Sequence, residues 1–387
     1  MEAAHAPDRP HAEGEAEHQV TPLELFFDLV FVFALTQVTG LMTHDPTWAG
    51  VGRGLLVLAA LWWAWGAYAW LTNAIDLERP SARIALFAAM GAVLVAAMAV
   101  PEAFGSDGVL FGVSYFAVRL LHIVLYAEGS PDVDMRQAAL RLARTAVPAP
   151  ALLIAAGFLD GPAQVGLWVA ALAIDYAGPY VFGVRGFTVS AEYFAERFGL
   201  VVIIALGESI VALGIGASGL ELGSKVILTA VLGLALAAAL WWAYFDVVAV
   251  VARRKLNEAL GHERTLLARD SYSVLHLPIV AGIVLAAFGV EEAIGHVDVP
   301  LDTVPAAGLC GGVALVFLAH VAIRFRSVRT VSRRRVVAAA ATLALLPLAT
   351  RWDAPVALAL VTAVASGLVA YEAIRLRDQR AQVRAAR

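Results

Sequence analysis

Asp28, Arg119, Asp175 and Glu208 stand in stretches otherwise too apolar to hold them, and they are of the types that carry protons and ions. Asp28 lies in TPLELFFDLVFVFALTQVTGLM, residues 21–42, Arg119 in FAVRLLH, Asp175 in LAIDYAGPY and Glu208 in ALGESIVALG. His122, His276 and His320 are set in similar surroundings. An ionised side chain at the centre of a bilayer costs at least about 2.5–3.5 kcal/mol. Three intramembrane acids face one arginine, so Arg119 is expected to pair with Asp28, Asp175 or Glu208. The acids left over must be protonated, hydrated, hydrogen-bonded to histidine or bound to a cation. Acid and histidine sets of this kind compose proton and cation pathways. Glu24 and Glu196 open two of the apolar runs and are read as acids capping helix N-termini, where the helix dipole favours negative charge.

The elements that must position these residues are membrane helices. Of 387 residues, 60% are hydrophobic and 16% charged, against about 25% charged in a soluble domain. Mean hydropathy is +0.76. About 20 residues of helix cross the hydrocarbon, and twelve such runs are legible: 23–42, 53–72, 84–101, 109–127, 138–158, 166–183, 197–217, 225–249, 271–290, 304–323, 335–350 and 355–374. The expected fold is all-α and integral to the membrane. Residues 1–20 read as a disordered tail that lacks a signal peptide's basic start and short apolar core, and 376–387 as a basic tail. The single cysteine, Cys310, excludes an internal disulfide or a cysteine-rich metal site.

Lysine and arginine report the side on which each loop lies. Alternating the loops between two sides puts 24 of the 28 basic residues with the termini and only Arg53, Lys225 and Arg351 opposite, Arg119 lying within the fourth run. Both termini are therefore expected in the cytoplasm, with the chain multi-pass in the plasma (inner) membrane of a bacterium. The two halves also match in order. ELFFDLVFVFALTQV at 24 aligns with ERFGLVVIIALGESI at 196, and LWWAWGAY at 61 with LWWAYFDV at 240. AVPEAF at 99 aligns with GVEEAI at 289, and LLHIVLY at 120 with LAHVAIR at 318. The expectation is two parallel six-helix repeats, 21–190 and 191–375, related by an axis along the membrane normal.

The motifs ELFFDLVFVFAL and ERFGLVVIIALGESI resemble the bacterial low-temperature-requirement A family, and the resemblance runs over residues 20–375. It implies a polytopic bacterial plasma-membrane protein linked by its family name to growth in the cold, and it brings no substrate, reaction or cofactor. A fainter similarity joins FFD at 26–28 to potassium channels whose repeats open with Phe-Ser-Asp, but the second half has Gly199-Leu200 at that place.

No H-E-x-x-H, P-loop or nucleophile elbow is present, and nothing points to nucleic acid. The leading expectation is a secondary transporter or a proton or cation pathway. In it Asp28 and Glu208 bind the ion, Arg119 serves as acid partner or anion site, Asp175 lies nearby, and His122, His276 and His320 form a relay. The alternatives are a non-transporting scaffold or sensor held by a structural ion pair, and a membrane enzyme acting on lipid. The partners expected are the bilayer and a proton, cation or small solute.

Overall fold

The computed structural model describes residues 20–129 and 133–375, and the expectations for the tails fall outside them, Val20 excepted. Helices α1 (Pro22–His44), α2 (Trp48–Thr72), α3 (Pro80–Met98), α4 (Gly108–Gly129), α5 (Val133–Ala146), α6 (Pro148–Ala156) and α7 (Gly161–Val181) come from the first half. The second supplies α8 (Ala191–Gly216), α9 (Ser224–Ala243), α10 (Ala249–Glu258), α11 (Gly261–Leu267), α12 (Leu277–Gly295), α13 (Thr303–Val328), α14 (Arg333–Ala344), α15 (Leu346–Ala349) and α16 (Ala354–Arg375). Wider π-type turns join α9 to α10 at Tyr244–Val248 and α11 to α12 at Ala268–Val274.

Among the described residues, ten rods are long and apolar enough to span a membrane, taking α5–α6, α9–α10 and α11–α12 as continuous. The protein is thus an all-helical, multi-pass membrane protein. Two of the twelve expected runs fall short of that measure, 166–183 and 335–350. Gln164, Asp175 and Pro179 dilute α7, although its 21 residues rise about 31 Å, enough to cross. Helix α14 begins with three arginines and stops at Ala344, where Pro347 forces the new four-residue turn of α15.

The centre of the bundle follows from burial. In α2 and in the α11–α12 rod 72% of the most apolar stretch is covered by protein, but in α3 only 39%. Helix α1 packs on α2, α8 and α12, so the opening helices of the two sequence halves touch. Helical periodicity turns Leu25, Phe26, Leu29 and Phe33 outward and Phe27, Asp28, Phe31 and Leu35 inward. The carboxylate in the first run is therefore spared the lipid by its register.

Glycine sets the contact between α12 and α13. A Cβ on Gly282 of α12 would lie 2.6 Å from the Gly312 carbonyl of α13, and one on Gly312 would lie 2.5 Å from that of Gly282. Packing takes the place of the hydrophobic effect between helices in lipid, so small residues that admit near backbone approach are favoured there.

Candidate functional site

All seven intramembrane candidates are buried, none more than 7% exposed. They do not form one cluster, because the interior holds two more arginines that sequence arithmetic assigned to the basic ends, Arg197 and Arg335.

Asp28 is claimed by Arg197. Helix α1 starts where Thr21 caps it: the Glu24 amide donates to Thr21 Oγ1, and the Thr21 amide donates to Glu24 Oε2 at 2.8 Å. The box holds Glu24 at the helix's positive end, while Tyr193 donates to its other oxygen. One turn on, Arg197 Nη1 of α8 donates to Asp28 Oδ2 at 2.5 Å, and Trp65 Nε1 of α2 donates to Oδ1 at 2.9 Å. Arg197 Nε lies 3.9 Å from Glu24 and its guanidinium stands over the Trp65 ring at 5.7 Å. Both oxygens of Asp28 are thus occupied, which makes this a clasp between α1, α2 and α8. Glu196 is no cap: α8 begins at Ala191, leaving Glu196 exposed in the second turn.

Arg119, midway along α4, pairs with Asp175 of α7 at 2.7 Å. Tyr115 donates to the other oxygen at 3.3 Å, and Trp63 is also within hydrogen-bond reach of this carboxylate. The pair forms part of the wall of an open cavity whose empty space, counted together with the solvent at its mouth, is about 770 Å³. Trp62, Trp63 and Trp70 line it, and it extends from Arg119 to Val184, Phe187 and Arg269 beyond the helix ends. Arg119 Nε and Nη1, both ring nitrogens of His122 and the Tyr126 hydroxyl line the same space without a hydrogen bond of good geometry. The Ala67 carbonyl is in loose reach of His122.

Among the described residues, no cation stands beside Glu208 of α8. Thr36 Oγ1 donates to its Oε2 at 2.7 Å, Oε1 has no partner, and Thr39 is within reach. Glu291 of α12 is close enough to feel its charge, and is itself near Thr43. The three threonines recur along α1 at roughly one per turn, so two carboxylates and a ladder of hydroxyls share the α1–α8–α12 contact.

The histidines are not joined into a relay. His276 is satisfied, its Nδ1 at 2.7 Å from the Ser271 carbonyl and Nε2 at 2.8 Å from the Tyr244 hydroxyl. His320 Nδ1 accepts from Arg335 at 2.7 Å. Arg335 in turn donates to both oxygens of Glu372 at 3.2 and 2.9 Å and to the Ala243 carbonyl. His276 and His320 flank the Tyr244 ring, at 5.7 and 6.0 Å between centroids, whereas His122 lies by the cavity of the first half.

The family model for "Bacterial low temperature requirement A protein (LtrA)" matches residues 19–370. The chain belongs to that family. It is similar to an uncharacterized protein of Rhizobium meliloti (strain 1021), 33% identical over 291 residues that cover 70% of this chain and 69% of the relative. No solved structure matches it.

In this low-temperature-requirement A protein, the polar interior therefore divides by chemistry. Where acid and arginine are matched with both carboxylate oxygens occupied, at Asp28–Arg197 and Glu372–Arg335, the arrangement fastens helices. Where groups are left wanting, at the Arg119 cavity and at Glu208, it can accept something from outside. Sequence reasoning missed Arg197, Arg335, Glu291 and Glu372 because each lies near a run's end, where charge is ordinarily solvated. One signal was available for Arg197: in the alignment of the halves it falls opposite Leu25, and Leu200 falls opposite Asp28.

Proposed function

We propose that the chain is a carrier of a small solute across the bacterial plasma membrane, with the Arg119–Asp175 cavity as the solute site. One observation supports this above the others: a buried ion pair with unsatisfied donors lines an open, tryptophan-walled cavity inside the bundle. A structural pair gains nothing from adjoining a void, because unmet buried donors cost about 1–3 kcal/mol each. Both termini are cytoplasmic in this reading, and the two halves are parallel repeats whose opening helices meet at the α1–α8 clasp. Glu208 and Glu291 exchange the proton or cation that drives the solute, taking the ion role that the clasp denies to Asp28. No bond of the solute is made or broken.

The test is access. In a Cys310→Ala background, Ala146→Cys puts a thiol on the cavity wall, since Ala146 is a lining residue and Cys310 is buried elsewhere. A carrier exposes that thiol to a membrane-impermeant maleimide from each face, in inside-out and in right-side-out vesicles. Labelling from neither face refutes a solute site, and labelling from one face alone makes it a receptor pocket.

A further inference from the structure

Resting on the carrier reading, we infer that the cavity takes a compact amphipathic anion, with an acidic head at Arg119, His122 and Tyr126 and an apolar body against the tryptophans. The argument is a balance of donors and acceptors. Asp175, the one carboxylate among the described residues of the wall, already receives Arg119 and Tyr115. The indole N–H groups are likewise spent: Trp62 donates to the Ser273 carbonyl and Trp70 to the Ser273 hydroxyl, both at 2.7 Å.

What is left unpaired is mostly donor. Arg119 Nε and Nη1 carry three N–H bonds between them, neutral His122 has one N–H, and Tyr126 has its O–H. The acceptors left are a single imidazole nitrogen and the phenol oxygen. A ligand that satisfies this wall must bring acceptors, and a carboxylate brings two oxygens to a guanidinium edge with charge-assisted geometry. All three side chains are at least nine-tenths buried, so water does not supply the deficit by simple exposure.

Charge points the same way. Arg269 lines the far end of the cavity and is bridged to Asp270 at 2.7 Å, but Asp270 is shared with Arg326 at 2.8 Å. The wall itself carries two guanidinium groups, Arg119 and Arg269, against the single carboxylate of Asp175, because Asp270 and Arg326 lie outside the lining. The rest of the lining is largely apolar and aromatic, including Trp62, Trp63 and Phe187, which fits a ring or a branched chain and not a second charge.

The experiment is titration calorimetry of the full chain in detergent with matched probes: phenylacetate, its neutral amide phenylacetamide, the cation phenethylammonium, and octanoate as an acyl-chain anion. Phenylacetate or octanoate is expected to bind at least tenfold more tightly than the amide, and the cation not at all. Octanoate alone points to an acyl acid drawn from the bilayer, phenylacetate to a water-soluble acid, and both support the anion site. Arg119→Gln combined with Asp175→Asn keeps the pair neutral and hydrogen-bonded, and is expected to erase the preference for anion over amide. Tyr126→Phe, which removes one hydroxyl and is the safer variant for folding, should weaken the anion at least threefold. The inference is overturned if the amide or the cation matches the anions, or if neither anion binds. Either result leaves the labelling of Ala146→Cys unaffected, so the carrier reading stands or falls separately.

Discussion

Arg197→Met should be among the most damaging single changes to this protein, and the reason is arithmetic at the clasp. Arg197 is 1% exposed and, among the described residues, is the only ion-pair partner of two buried carboxylates, Asp28 at 2.5 Å and Glu24 at 3.9 Å. Methionine keeps much of the volume but leaves both acids without a cation, and breaking a buried pair from one side costs about 3–5 kcal/mol. Asp28→Asn is milder. The amide oxygen still accepts from Trp65 or Arg197, and the guanidinium retains Glu24, so the loss is about that of one charge-assisted hydrogen bond, roughly 1.5–3 kcal/mol. Joining Arg197→Met to Asp28→Asn removes one stranded charge and should recover part of the cost of Arg197→Met alone. Unfolding titrations in mixed micelles, read by far-UV circular dichroism, give the three values and their coupling. Two results refute the reasoning: Arg197→Met costing less than about 1 kcal/mol, or Asp28→Asn costing as much as Arg197→Met.

Other outcomes follow from the same geometry. Gly282→Ala drives a methyl to 2.6 Å from the Gly312 carbonyl and should cost about 1–3 kcal/mol. Gly311→Ala, with nothing within 4 Å, should be tolerated within about 0.5 kcal/mol in the same titration. Arg335→Met strands buried Glu372 and should lower stability by about 3–5 kcal/mol. Its exposed neighbour Arg334, over the Tyr371 ring at 5.5 Å, should lose no more than about 1 kcal/mol on the same change. Glu208→Gln keeps the Thr36 hydroxyl's acceptor, so stability should stay within about 1 kcal/mol. Solute flux in proteoliposomes under an imposed proton or cation gradient should nevertheless collapse, and unaltered flux would remove Glu208 from the coupling.

The helical membrane architecture was legible because lipid forces it: every buried backbone group must be satisfied within the segment, so an apolar run of the right length can only be a helix. That Asp28, Arg119, Asp175 and Glu208 face protein was legible for a related reason, the cost of a lone ion in hydrocarbon. Partner choice was not. Arg119 goes to Asp175, 56 residues away, and Asp28 to Arg197, 169 away, and composition along a run carries no record of which helices touch. The reading of three acids against one arginine failed at a particular place. Arg197 sits at the end of the second turn of α8 because Ser190, and not Glu196, precedes the helix. Extending the helix by nearly two turns at its start converts an apparent interfacial charge into an interior one. Arg335 misled in the same way, lying third in a row of arginines of which only it turns inward.

The clasp also constrains how the molecule is made. A ribosome delivers Asp28 169 residues before Arg197, an interval of about 10–30 s at ordinary elongation rates of roughly 5–20 residues per second. Throughout that time the newborn first helix holds two acids whose counter-ion has not been synthesised. The amino-terminal half therefore cannot mature alone, and a chain truncated before α8 should be recognised by quality-control proteases as unfinished.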